Sequence, residues 1–91
     1  MRWVGTLPHV LGDRSDRIRH DRPVTVWRQI ADDLVSEIES GNLRRGDRLP
    51  SYQELAESYG VAPMTIRRAI QELRKDGIIT VVIGKGTYVS E

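Results

Sequence analysis

No cysteine occurs anywhere in the 91 residues, which excludes a disulfide, a thiolate zinc site and a thiol nucleophile together. Histidine is nearly absent too. His9 and His20 stand apart in the least patterned part of the chain, so neither metal binding nor acid–base catalysis has a cluster to start from, and no metal or cofactor is expected. No apolar run approaches the roughly 18 residues of a membrane-spanning helix, and no secretory leader is present, so the expected location is the cytoplasm. Nor is one sign of charge in excess. With a formal net charge of +1, bulk electrostatics do not announce a nucleic-acid partner. The length itself allows one small domain with little room for a catalytic cleft beside a core.

What is present is charge sorted along the chain. Residues 25–43 hold one arginine against four carboxylates, whereas residues 63–85 hold five basic residues against two. An acidic surface and a basic one would orient a weakly charged domain on a polyanion.

The chain divides at Pro23. Residues 1–22 lack a sustained period and are rich in Arg, Asp, Gly and His, which reads as a flexible N-terminal arm. Within it Trp3, Val4 and Leu7 are apolar enough to dock. From residue 25 to about 40, Val26, Ile30, Leu34 and Ile38 recur four apart, a helix with Thr25 as its cap and an acidic, solvated outer surface. Residues 42–50 read as a turn, with Leu43 and Leu49 reaching into the core. Ser51 and Glu54 have capping-box spacing and open a short helix that Gly60 breaks. A second helix, about 62–76, begins with Pro63 and stops at Gly77. Two helices joined by a tight glycine corner form a helix-turn-helix. The β-branched run at 78–83, the Gly84-Lys85-Gly86 tip and the return at Thr87-Tyr88-Val89 then form a hairpin. The fold class is therefore mainly α with a small β-hairpin (α+β), a three-helix winged helix-turn-helix over 23–91.

The helix at 62–76 carries the chemistry. Ile66, Ala69, Ile70 and Leu73 face the core, leaving Met64, Arg67, Arg68, Gln71, Arg74 and Lys75 on the outer surface. Arginine can fork onto a guanine edge or a phosphate, glutamine onto an adenine edge, and Met or Thr can touch a thymine methyl. Basic outer faces of helices are often merely solvated. The corner before this helix and the basic, glycine-rich hairpin after it favour DNA instead.

Trp27-Arg28-Gln29-Ile30-Ala31, Gly41-Asn42-Leu43, Gly46-Asp47-Arg48-Leu49-Pro50-Ser51, Glu54-Leu55-Ala56, Gly60-Val61, Thr65-Ile66-Arg67, Asp76-Gly77 and Gly84-Lys85-Gly86-Thr87-Tyr88-Val89 resemble the N-terminal winged helix-turn-helix of GntR-type bacterial transcription regulators. The resemblance spans about 23–89. It implies a last helix in the major groove, a wing tip at the adjacent minor groove, Thr65 at a phosphate or base, Arg67 reading a base, and Gly84 close to the minor groove. Five positions depart from the pattern. Tyr52-Gln53 occupy the usual Glu-Arg positions, Ala62 and Pro63 replace a capping Ser or Thr and a polar or basic residue, and Ile83 replaces a polar residue before the wing glycine. Such regulators continue into an effector-binding, dimerising domain. This chain, ending at Glu91, reads as either an excised domain or a stand-alone binder, with no small-molecule effector site of its own.

The expected function is sequence-specific binding of double-stranded DNA and repression of transcription by promoter occlusion. The expected contacts are Ser51, Tyr52, Gln53, Pro63, Met64, Thr65, Arg67, Arg68, Gly84, Lys85 and Gly86, with the free N–H groups at Ser51 favouring a phosphate. A homodimer on DNA would use half-sites about one turn apart. The alternatives are a plasmid or phage architectural factor using the same face to bend DNA, and a protein-interaction winged helix that leaves the basic face unused.

Overall fold

The computed structural model describes residues 12–91. Among these residues a 3-10 turn at Ser15–Arg17 precedes α1 (Val26–Glu39), α2 (Tyr52–Tyr59), α3 (Pro63–Lys75), β1 (Ile79–Val82) and β2 (Gly86–Val89). Each helix starts where its first residues provide a reason. The Thr25 hydroxyl accepts the Arg28 amide at 3.3 Å to open α1. At α2 the Ser51 hydroxyl accepts the Glu54 amide at 3.1 Å while the Glu54 carboxylate accepts the Ser51 amide at 2.9 Å, a complete capping box. α3 has no capping side chain at Ala62 and relies on Pro63, whose fixed φ suits a first turn.

Gly60 closes α2 in the left-handed region at φ 69°. Only two residues separate it from α3, so the chain turns sharply there, and a side chain at Gly60 would be strained as well as 3.0 Å from Ser15 Cβ. All three helices then bury one stripe into a single cluster. Ile30, Ala31 and Leu34 come from α1, Leu55, Ala56 and Tyr59 from α2, and Ile66, Ala69, Ile70 and Leu73 from α3. Leu43 and Leu49 join it as expected. Truncating a buried Leu or Ile here to Ala should cost about 2–5 kcal/mol.

The hairpin pairs antiparallel with Ile79 opposite Val89 and Val82 opposite Gly86. Its loop is Ile83-Gly84-Lys85, one residue earlier than the 84–86 tip expected, because the Lys85 amide donates to the Val82 carbonyl at 2.9 Å and Gly86 already belongs to β2. Gly84, at the third position of this turn, takes the positive φ (79°) that a type II turn demands.

Two segments differ from expectation. Residues 46–49 are not a plain turn but run beside β2, with an isolated antiparallel bridge between Arg48 and Tyr88. Leu49 donates to the Thr87 carbonyl at 2.7 Å, Val89 to that of Asp47 at 2.8 Å and Gly46 to that of Val89 at 2.8 Å. Nor are residues 13–19 a flexible arm. They form a strap across α1 and α2, in which the Arg14 amide donates to the Ser58 carbonyl at 2.6 Å and Ile18 enters the core. The Gln29 side chain further accepts the Arg19 amide and donates to the carbonyls of Arg19 and Val24.

Charge holds the strap in place. Arg14 is 5% exposed; its guanidinium donates to Asp33 at 2.6 Å and lies 3.2 Å from Glu37, and Arg17 reaches Asp33 at 2.7 Å. The Tyr59 hydroxyl donates at 2.6 Å to Asp33 Oδ2, the oxygen that Arg14 contacts, tying α2 to α1. The acidic surface expected on α1 is therefore solvated at Asp32 but internal at Asp33 and Glu37. Burial alone would raise the Asp33 carboxyl, yet hydrogen bonds from Tyr59, Arg17 and Arg14 outweigh it and hold the group below its ordinary value. Burial, reinforced by that carboxylate, pushes the Tyr59 phenol far up. Trp3, Val4, Leu7 and His9 lie outside the described residues.

Candidate nucleic-acid interface

Pro63 and Gly77 set α3 as a straight unit whose buried stripe fixes its rotation, so the opposite face is determined too. Pro63, Met64, Arg67, Arg68, Gln71, Arg74 and Lys75 are exposed on it, with Met64 at 72%, while Thr65 is half-buried. Arg67, Gln71 and Arg74 stand at i, i+4 and i+7, one continuous stripe. They line a cleft of about 250 Å³ together with Tyr52 of α2, Ile70, and Val81 and Ile83 of the wing. The structure thus brings Tyr52, Arg67 and the wing tip to one side of the molecule.

The cations on this side differ in what already engages them. Arg68 packs its guanidinium 4.5 Å from the centre of the Trp27 ring and lies 3.4 Å from Glu72, which also receives Lys75 at 3.6 Å. Arg67, Arg74 and Lys85 have no carboxylate within ion-pair distance among the described residues. The Arg67–Arg74 stripe and the wing therefore keep positive charge that no carboxylate neutralises.

The other expected residues are placed less uniformly. Val81 of β1 and Ile83 of the loop line the cleft on the α3 side, whereas Thr80 and Val82 line a separate hollow of about 450 Å³ with Lys85 and Tyr88 on the far flank. Lys85 is accordingly at the tip but not in the cleft. Gly84 faces open space, and Gly86 admits the Arg48 guanidinium so closely that an added Cβ would sit 2.9 Å from its Nε. Gln53 is exposed, with its amide 3.4 Å from Glu57. Ser51 caps α2. Its hydroxyl and its amide are both engaged in the capping box, so the amides left open at this helix start are those of Tyr52 and Gln53, which have no intrahelical acceptor.

Arg74 and Ile83 complete the cleft although neither was among the contacts expected from sequence; Arg74's spacing from Arg67 was the available signal. Arg48, flanking the wing through its bridge to Tyr88, had none, because an isolated bridge leaves no period in the sequence. Among the described residues, no three His, Asp or Glu side chains are grouped to hold a metal ion, and no buried side-chain polar atom lacks a partner. No helix among them is long and apolar enough to cross a membrane.

Residues 27–89 match the family described as bacterial regulatory proteins, gntR family. The chain is 35% identical over 74 residues to the HTH-type transcriptional repressor NagR of Bacillus subtilis, covering 81% of this chain and 30% of that protein. It is 39% identical over 66 residues to the mannosyl-D-glycerate transport/metabolism system repressor MngR of Escherichia coli, covering 72% and 28%. Among solved structures, YtrA from Sulfolobus acidocaldarius, a GntR-family transcription factor, superposes with a TM-score of 0.75 at 35% identity, over 81% of this chain and 78% of that one. AraR(DBD) in complex with operator ORX1 superposes with a TM-score of 0.70 at 28% identity, over 80% and 94%. The chain thus spans less than a third of the length of the first two relatives.

Proposed function

The chain belongs to the gntR family of bacterial regulatory proteins, regulators rather than enzymes, and on that premise we propose that it binds double-stranded DNA through α3 and the wing and represses transcription by occluding a promoter in the cytoplasm. The observation that carries this reading is the unpaired Arg67, Gln71 and Arg74 stripe opening onto the same side as the wing tip. Solved complexes of AraR with operator DNA support it through their shared fold.

An α-helix about 10–12 Å across fits a major groove about 12 Å wide. Seated there, α3 presents Arg67 to a guanine edge and Gln71 to an adenine edge, with Met64 and Thr65 beside thymine methyls and Pro63 at the rim. Tyr52, Gln53 and the two open amides at the start of α2 meet the flanking phosphates, where the helix dipole favours negative charge. Ser51 acts through the cap that aims them. Arg68, held by Trp27 and Glu72, is aimed at a backbone phosphate rather than a base. Gly84 lets the wing backbone approach the minor groove, Gly86 places Arg48 beside it, and Lys85 reaches a phosphate on its far flank. Two copies would occupy half-sites about one helical turn apart. No small-molecule effector site is assigned to this chain, and the strap at 13–19 is counted with the winged helix.

The test is selection of bound sequences from a random duplex pool by the purified chain. Recovery of a short motif, with affinity falling steeply as salt rises, is the expected result. Binding that is salt-dependent but unselective would favour an architectural role, and no binding would remove the DNA reading.

A further inference from the structure

Ile83 stands where an apolar side chain gains nothing from the fold. It is 93% exposed, at the second position of the wing turn, more than any other large apolar side chain among the described residues. Its neighbours define its surroundings closely. Lys85 and Val82 belong to the opposite flank of the hairpin, whereas Ile83 lines the cleft that Arg67 and Arg74 line from α3. Gly84, next in the turn, has open space around it, and its amide donates to no described residue.

Resting on the DNA-binding reading above, we propose that Ile83 is the specificity-determining residue of the wing, selecting A·T pairs in the minor groove by excluding the 2-amino group of guanine. With α3 in the major groove, a tip on the same side and beyond the cleft descends toward the neighbouring minor groove. The floor there differs in one feature. Both A·T orientations present only the acceptors adenine N3 and thymine O2, while G·C adds an amino donor that stands up between them. An isoleucine pressed on that floor has no acceptor, so it strips water from the amino group and leaves it unpaired, and the group's bulk keeps the side chain from seating. Over A·T the side chain seats, and the unpaired Gly84 amide is the donor available to N3 or O2.

The experiment uses the full chain and the tightest duplex recovered from the random pool. The A·T pairs flanking the major-groove motif are changed one at a time to G·C and then to inosine·cytosine, which keeps guanine's major-groove edge but lacks the 2-amino group. The expected result is a loss of about 5- to 30-fold for G·C at the wing position and recovery to within about threefold for inosine·cytosine. Ile83→Ser should lower the A·T over G·C preference below about threefold while leaving the melting temperature and the preference at the Arg67 base unchanged. The proposal is overturned if inosine·cytosine binds as poorly as G·C, or if Ile83→Ser keeps the preference, which would assign the readout to groove width. It is equally overturned if Ile83→Ser loses only self-association. Failure of the wild-type chain to bind any duplex is a different result, removing the DNA-binding reading itself and this inference with it.

Discussion

Two regions of this small domain use the same side chains in opposite ways. At the corner of the strap, α1 and α2, two arginines face two carboxylates and a tyrosine hydroxyl, with Arg14 and Glu37 buried and every polar group satisfied. On α3 and the wing, Arg67, Arg74 and Lys85 project with no carboxylate within ion-pair distance among the described residues. Buried charge must be paired where it stands, so it serves the fold; exposed, unpaired charge keeps its affinity for an external anion. Counting arginines in the sequence does not separate the two uses. Their partners do.

The comparison can be broken most severely at Arg14. Arg14→Met leaves part-buried Asp33 and buried Glu37 with Arg17 as the one cation beside them among the described residues, and should lower stability by about 3 kcal/mol in denaturant unfolding followed by circular dichroism. Sequence preference of the folded protein should be unaltered. Arg67→Ala should do the reverse, with stability within about 0.5 kcal/mol of wild type and a loss of about 1–3 kcal/mol in binding to the selected duplex. Equal losses on selected and random DNA would sink its base-reading role. A smaller, uniform effect is expected of Lys85→Ala, which should weaken all duplexes alike and reduce the slope of log affinity against log salt by about 0.9.

The smallest effect at neutral pH, and the sharpest for the buried corner, is a pH dependence. Because the Asp33 carboxyl is held below its ordinary value, its contribution is fully present above the unfolded carboxylate range of about pH 4 and is lost as pH falls through the folded value. The stability gap between wild type and Asp33→Asn should therefore be flat from about pH 5 to 8 and close below about pH 4. A gap that instead narrowed on going from pH 5 to pH 8 would contradict the assignment.

Local chemistry was legible in the sequence because it acts over three or four residues. Thr25, the Ser51 and Glu54 pair, Gly60, Pro63 and Gly77 each mark a helix end by a bond or a dihedral that needs no distant partner. The strap was not legible for the opposite reason. Arg14 meets Asp33 nineteen residues away and Ser58 farther still, and a charged, aperiodic run looks the same whether it is loose or anchored. A hint was present in Asp33 and Glu37, one turn apart beside the Ile30 and Leu34 stripe, where two carboxylates at the edge of a core require cations from elsewhere. The candidate site shows the same division. Arg67 and Met64 follow from helical periodicity, whereas the retention of Arg68 by Trp27 and the entry of Arg48 and Ile83 depend on how α1 and the wing pack beside α3.

The most direct test of the central claim, that the face of α3 and the wing binds duplex DNA while the strap corner only supports the fold, is titration of the isotopically labelled chain with the selected duplex, followed by amide chemical shifts. The largest changes should fall on residues 52–53, 63–75 and 83–86, with residues 13–19 and the amides of Asp33 and Glu37 nearly still. Changes centred on the strap and α1, with α3 unmoved, would contradict the account and transfer the binding surface to the opposite region.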